Sequence, residues 1–146
     1  MTAATELEHT LHAEIPLSRA MGIRVVAYDG SKLQLSAPLA PNTNHKSTAF
    51  GGSLYSLAVL CGWGLLHLKL REAGLHKHIV IQESSIRYLL PVEGEMMAEC
   101  RLDKAAFARF LHTLEKHGKG RLALDVGIMQ DGRPAVGFSG RYVVHG

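Results

Sequence analysis

The sequence contains few cysteines, and they form no pattern that carries chemistry. Among its 146 residues only Cys61 and Cys100 are cysteines, one in a helical pattern and one in a strand pattern. Two isolated cysteines form neither a disulfide framework nor a metal-binding spacing. We therefore predict that both are reduced residues of the core.

Metal-binding spacing is also missing among the nine histidines. The close pairs are His9 with His12 and His76 with His78. Neither pair is joined by a cysteine or an acidic set at ligand spacing. The sequence therefore predicts no metal site and no cofactor beyond the substrate's own carrier.

Clusters of charge of one sign are absent. Sixteen basic and thirteen acidic residues leave a net charge of +3, and the basic residues are scattered. The electrostatic footprint of nucleic-acid binding is therefore missing. The segment from Met1 to His12 has no basic region before an apolar stretch, so it does not resemble a secretory signal, and we expect a cytoplasmic protein.

Aromatic residues make up only 6% of the chain, whereas hydrophobic residues make up 47%. A chain of this size and composition forms one domain with an aliphatic core. No repeat, linker or low-complexity tract divides it. We therefore predict a single domain over residues 1–146.

One long apolar run requires a membrane interpretation beside a soluble one. Ala49 to Leu66 contains eighteen residues without a charge, which is the lower limit for a spanning helix. Glycines and serines dilute its hydrophobicity, and no second such run exists. The run therefore predicts the buried central helix of a soluble domain and no membrane partner.

Hydrophobic periodicity and turn residues predict an α+β arrangement. Asp29-Gly30, Val92-Glu93-Gly94 and Asp131-Gly132 are hairpin turn signals. The predicted helices are Thr5 to Ile15, Phe50 to about Ala73, and Lys104 to His117. The predicted strands are Gly22 to Tyr28, Lys32 to Leu39, Ile79 to Leu90, Glu95 to Leu102, Arg121 to Gln130 and Pro134 to Val144.

Several short motifs resemble those of the hotdog thioesterases, in particular the YiiD C-terminal type. They are Asn42-x-Asn44, Thr48, Phe50-Gly51-Gly52-Ser53, Gly62-Trp63-Gly64 and Ile86-Arg87-Tyr88-Leu89-x-Pro91. The resemblance implies an antiparallel sheet wrapped around one long central helix. It also implies a homodimer or a dimer of dimers, and acyl-CoA or acyl-carrier-protein thioesters bound at the subunit boundary.

The glycine pair Gly51-Gly52 stands at the predicted start of the central helix. A helix start offers unpaired backbone N–H groups and about half a positive charge, which stabilise a developing oxyanion. Glycine also lets a carbonyl approach the backbone without a Cβ in the way. The alternative is that the pair only permits tight packing between helix and sheet.

The group that activates water is harder to predict, because related enzymes carry a His before the glycines or an acid two turns into the helix. This chain has Phe50 and Val59 there. Glu83 is our candidate base, since two-residue spacing places it on the strand face of Ile79 and Ile81, where an unpaired acid is costly. The alternative is an ion pair with Arg87.

Other polar residues complete the predicted site. Asn44 is a second catalytic candidate that would orient water or the thioester, although Asn is also a common turn and cap residue. The predicted substrate-binding residues are Asn42, Thr48, Phe50, Ser53, Ser84 and Ser85. No serine has a nucleophile-elbow context, so we expect direct attack by water rather than a covalent intermediate.

Two functions remain open at this point. The first is hydrolysis of an acyl thioester, and the second is a non-catalytic module that binds acyl thioesters with the same fold. A dehydratase would need a His and acid pair near the helix start, and His45 lies in a loop without such a motif.

Overall fold

The computed structural model describes all residues from Met1 to Gly146. Its elements in chain order are α1 (Ala3–Glu14), α2 (Pro16–Ala20), β1 (Arg24–Tyr28), β2 (Lys32–Ala37), α3 (Gly51–Glu72), β3 (His78–Tyr88), β4 (Met96–Arg101), α4 (Lys104–His117), β5 (Lys119–Gln130) and β6 (Arg133–His145). Every predicted helix and strand is present. The sequence pattern does not predict α2 or a 3-10 turn at Ala40–Asn42, because such short helices show no period.

The six strands form one antiparallel sheet in the order β1-β2-β4-β5-β6-β3. The central helix α3 packs against β2, β3, β4, β5 and β6, so the sheet curls around it. This arrangement confirms the predicted α+β class and the central helix. Most of the hydrophobic core lies between α3 and the concave face of the sheet.

The interior glycines of α3 lie where the sheet approaches the helix most closely. A Cβ on Gly62 would lie 2.7 Å from Cζ of Tyr142, whose hydroxyl donates to the carbonyl of Val59 at 2.7 Å. A Cβ on Gly64 would lie 3.0 Å from a methyl group of Leu33. These two glycines therefore permit the close approach of the sheet to the helix. By length and composition α3 matches a membrane span, but most of it is buried in this domain.

Two of the three hairpin signals and the helix from Lys104 also form as predicted. The hairpin expected at Val92-Glu93-Gly94 is wrong, because β3 pairs with β6 whereas β4 pairs with β2 and β5. Asp29 accepts hydrogen bonds from the backbone of Ser31 and Lys32 at 2.9 and 2.8 Å, and Asp131 and Gly132 have the positive φ angles of a tight hairpin. Asp103 caps the start of helix α4, and its carboxylate accepts from the Ala106 N–H at 2.7 Å. It packs its apolar face against β5.

The two edges of the sheet differ. Helix α1 covers the β1 edge, where Glu8 accepts from the N–H of Val25 at 2.8 Å and His12 bonds the carbonyl of Ile23 at 2.7 Å. Strand β3 pairs only with β6, and the one side chain that bonds its backbone is Trp63, whose Nε1 donates to the Ile79 carbonyl at 3.2 Å. The β3 edge is therefore open, as an edge that accepts another strand would be.

Candidate active site

A groove lies at the start of α3, between the loop before the helix and the segment that follows β3. Its volume is about 510 Å³. The lining is largely apolar, with the backbone of the glycine pair on one wall. The lining residues are Asn44, Thr48, Ala49, Gly51, Gly52, Leu54, Tyr88, Leu89, Leu90, Pro91 and Val92.

Backbone hydrogen bonds fix the chain as it enters α3. The N–H of Ala49 donates to the carbonyl of Val92 at 2.8 Å, and the N–H of Phe50 donates to the carbonyl of Asn42 at 2.7 Å. These bonds join both walls of the groove to the helix start. The position of the glycine pair therefore depends on segments on both sides of α3 in the sequence.

The start of α3 lacks a capping side chain. Phe50 occupies the N-cap position and makes no side-chain hydrogen bond, whereas Thr2 and Asp103 cap α1 and α4. The N–H groups of Ser53 and Leu54 donate to the carbonyl of Phe50 at 3.0 Å each. Those of Gly51 and Gly52 have no acceptor in the protein. Two backbone donors are thus left free at the groove.

The surroundings of the two glycines differ. A Cβ on Gly51 would lie 3.4 Å from the ring and hydroxyl of Tyr88, which is ordinary contact. A Cβ on Gly52 would lie 2.5 Å from Cε2 of Phe50. Because the Phe50 ring is 54% exposed, it has room to move. Close packing at Gly52 therefore accounts for part of the need for glycine, as the alternative interpretation held.

Asn44 lines the groove, but its amide is committed to the loop. Its Nδ2 donates to Thr48 Oγ1 at 2.8 Å, and its Oδ1 accepts from the N–H groups of Lys46 and Thr48 at 2.8 and 3.2 Å. These bonds shape the tight turn in which Ser47 has a φ of 63°. Asn44 thus organises the wall that carries Thr48, which is the predicted binding residue with a hydroxyl in the groove.

Asn42 is buried beneath the loop rather than in the groove. Only 2% of it is exposed. Its Nδ2 donates to the carbonyls of Met21 and Pro38 at 2.9 and 2.8 Å. The Asn42 side chain therefore ties the loop to the α2–β1 connection, and the structure does not place it for contact with a substrate in the groove.

Phe50 and Ser53 also lie outside the groove lining, although both are adjacent to Gly51 and Gly52 in sequence. Phe50 stands at the exposed rim, over Gly52. The Ser53 side chain makes no hydrogen bond, and its N–H donates to the Phe50 carbonyl at 3.0 Å. Of the predicted binding residues, the structure brings only Thr48 to the groove together with Gly51, Gly52 and Asn44.

The placement expected for Glu83 is wrong. The register of β3 shifts between Ile81 and Glu83, so a bulge at Gln82 moves Glu83 to the face opposite that of Ile79 and Ile81. There its carboxylate is 3.2 Å from Arg141 Nη1. The partner is therefore Arg141 and not the expected Arg87.

Glu83 shares a separate depression of about 210 Å³ with Ser84 and Ser85. Its side chain is 71% exposed, which is not the buried acid that the sequence pattern suggested. Ser84 Oγ is hydrogen-bonded to Tyr55 Oη at 2.5 Å. None of these three residues lines the groove at the helix start, so the structure does not support Glu83 as the base there.

Tyr88 is the one polar side chain of the groove that was not predicted from the sequence as a site residue. Its hydroxyl donates to the carbonyl of Gly51 at 2.9 Å, and it is the only titratable side chain in the lining. Burial, and next the neighbouring Tyr55, raise the pKa of Tyr88 above its ordinary value. The hydroxyl therefore keeps its proton at neutral pH. Its place in the Ile86-Arg87-Tyr88 motif was the one available signal.

The antiparallel sheet wrapped around α3 and the groove at the helix start define the class, a hotdog-fold domain. A family described as "Putative thioesterase (yiiD_Cterm)" matches residues 4–146. The chain belongs to this family, as the motifs implied.

Solved structures of similar chains share this fold. A protein of unknown function from Chlorobaculum tepidum TLS is 36% identical with a TM-score of 0.94, over 97% of this chain and 93% of that one. A "putative thioesterase" from Shewanella oneidensis is 33% identical with a TM-score of 0.90, over 99% and 98%. A thioesterase from Haemophilus influenzae is 15% identical with a TM-score of 0.75, over 99% and 91%, and this likeness concerns the fold alone.

Proposed function

We propose that this protein hydrolyses an acyl thioester, carried by coenzyme A or an acyl carrier protein, with the thioester carbonyl bound by Gly51 and Gly52. The family and the "putative thioesterase" from Shewanella oneidensis support thioester hydrolysis in general. The observation that carries the proposal for this site is the pair of free N–H groups at an uncapped helix start. Such donors stabilise the oxyanion that forms when a carbonyl is attacked.

The helix itself adds to this stabilisation. The aligned peptide dipoles of α3, a helix of 22 residues, place about half a positive charge at its amino end. The neighbouring wall residues Leu54, Leu89 and Leu90 are apolar, which suits an acyl chain. A low local dielectric constant there also strengthens the interaction between the N–H groups and the oxyanion.

The attacking nucleophile in this proposal is water. No serine or cysteine lines the groove, and its one aliphatic hydroxyl, on Thr48, accepts a hydrogen bond from Asn44 and has no histidine or carboxylate beside it in the lining. A covalent acyl-enzyme intermediate would require such a partner. Direct attack by water is therefore the simpler mechanism.

A second copy of the chain is part of this proposal, as a homodimer or a dimer of dimers. The β3 edge is open, and half-exposed Val80 and partly buried Trp63 and His67 lie beside it. Tyr88 ends the same strand and lines the groove. A copy paired along β3 would therefore adjoin the groove, where it is able to supply the base that a single chain lacks.

The absence of a base in the groove also favours a second candidate function. No carboxylate or imidazole lines it, which is what a non-catalytic acyl-thioester binding module would show. The two functions differ in turnover. Purified protein should release free thiol from acyl-CoAs of several chain lengths. Binding of those acyl-CoAs without release above the uncatalysed rate would replace hydrolysis by the binding function.

A further inference from the structure

We infer that Tyr88 is a positioning residue whose hydroxyl orients the peptide group between Gly51 and Gly52. This inference rests on the proposed function, because it concerns how the carbonyl-binding donors are held. Its basis is one contact, the hydrogen bond from the Tyr88 hydroxyl to the Gly51 carbonyl oxygen at 2.9 Å. That oxygen belongs to the same peptide unit as the N–H of Gly52.

The planarity of the peptide bond makes this contact informative. The carbonyl C=O of Gly51 and the N–H of Gly52 lie in one plane and point in opposite directions, because the peptide is trans. A hydroxyl that holds the oxygen therefore also fixes the direction of the N–H. The Gly52 N–H has no acceptor in the protein, so its direction is set from the carbonyl side of the peptide.

Two features of the chain make such a restraint useful. Two successive glycines have wide conformational freedom, and no side chain caps this helix start. Tyr88 supplies a restraint from another element, since it is 37 residues away in sequence and ends β3. Its ring lies 3.4 to 3.5 Å from where a Gly51 Cβ would be, so the ring also limits movement of the first turn.

The same bond strengthens the Gly52 donor. A hydrogen bond to a peptide oxygen polarises the amide, and successive hydrogen bonds reinforce one another by about 10–30%. The donor that faces a developing oxyanion gains from this effect. Tyr88 thus acts on the reaction through the Gly51–Gly52 peptide and not by contact with the substrate.

The first test uses Tyr88→Phe, which removes the hydroxyl and keeps the ring against Gly51. We expect kcat to fall about tenfold, less than the ~100-fold or more that loss of a whole donor costs, with KM within about twofold of the wild type. The matched control is Tyr28→Phe, which removes a hydroxyl that donates to Glu72 at 2.7 Å away from the groove. It should leave both constants unchanged.

The second test is independent of turnover. In the ligand-free protein, Tyr88→Phe should shift the ¹³C resonance of the Gly51 carbonyl and the amide resonances of Gly52, and Tyr28→Phe should not. Unmoved Gly51 and Gly52 resonances would overturn the inference whatever the activity. Shifted resonances with an unchanged kcat would overturn the positioning role.

The third test separates this inference from the proposed function. If the wild type hydrolyses no thioester, the proposed function fails, but a bound acyl-CoA analogue with CH₂ in place of sulfur still reports on the donors. Its ketone stretch should lie at lower frequency in the wild type than in Tyr88→Phe. Equal frequencies in the two proteins would overturn the positioning role.

Discussion

A side chain at Gly52 tests the proposed carbonyl-binding site most directly. We expect Gly52→Val to lower turnover by ~100-fold or more, because loss of one oxyanion donor costs ~100 to 1,000-fold, or about 2.7–4 kcal/mol. The protein should remain folded. The added Cβ lies 2.5 Å from Cε2 of Phe50 and 3.1 Å from its Cζ, and this ring is at the surface, where it is able to rotate away.

The assay is release of thiol from an acyl-CoA, with the melting temperature measured on the same preparation. Gly51→Ala is the matched control for a Cβ at the helix start, since its nearest neighbour is Tyr88 at 3.4 Å. We expect it to melt as the wild type does and to lose less activity than Gly52→Val.

The double variant Phe50→Ala with Gly52→Val separates obstruction of the carbonyl from displacement of the Phe50 ring. If Gly51 and Gly52 bind the thioester carbonyl, removal of the Phe50 ring does not restore turnover, because the valine still occupies the space of that carbonyl. Recovery to the rate of Phe50→Ala alone would refute the carbonyl-binding role. A folded Gly52→Val with full activity would refute it as well.

Three further predictions concern other parts of the molecule. Glu83→Gln should leave turnover within about twofold and barely change the melting temperature, because an exposed ion pair contributes little; a ~100-fold loss of rate would restore Glu83 as the base. Val80→Glu at the open β3 edge should sediment as a monomer and have a reduced turnover. Val26→Glu at the covered β1 edge is the control and should change neither; the two residues are 49% and 47% exposed. An identical response of both variants would contradict association through β3. Burial raises the pKa of the Cys100 thiol to about 12 and that of Cys61 well above its ordinary value. Both thiols should therefore resist a disulfide reagent in the native state, and the free energy of unfolding should fall as the pH rises above about 9, where only the unfolded thiols ionise. Rapid labelling of the native protein at pH 8 would contradict this expectation.

Much of the fold follows from local patterns. The uncharged run from Ala49 to Leu66 predicts α3, because a helix enclosed on all sides buries a run of that length. The Asp29-Gly30 and Asp131-Gly132 turns predict their hairpins because glycine adopts the positive φ they need. The capping carboxylate of Asp103 and the left-handed Gly118 delimit α4 for similar local reasons.

The site was less accessible to the same reasoning. The pattern places Gly51 and Gly52 correctly at a helix start, and Asn44 and Thr48 in the adjoining loop. It fails for Glu83, because strict alternation assumes an unbroken register and a bulge is not visible in the order of the residues. It also does not distinguish an asparagine that binds a ligand from one that ties a loop together, as Asn42 does.

The sequence by itself therefore determined the three longer helices, the strands, the Asp29-Gly30 and Asp131-Gly132 turns, and the glycine pair at the start of α3. These features depend on neighbouring residues and on periodicity, which are properties of a short stretch of chain. Only the tertiary structure decided that the N–H groups of Gly51 and Gly52 stay free, that Glu83 faces Arg141, and that Tyr88 reaches the Gly51 carbonyl. Each of these depends on the register of a strand or on a contact between distant segments, and packing sets both.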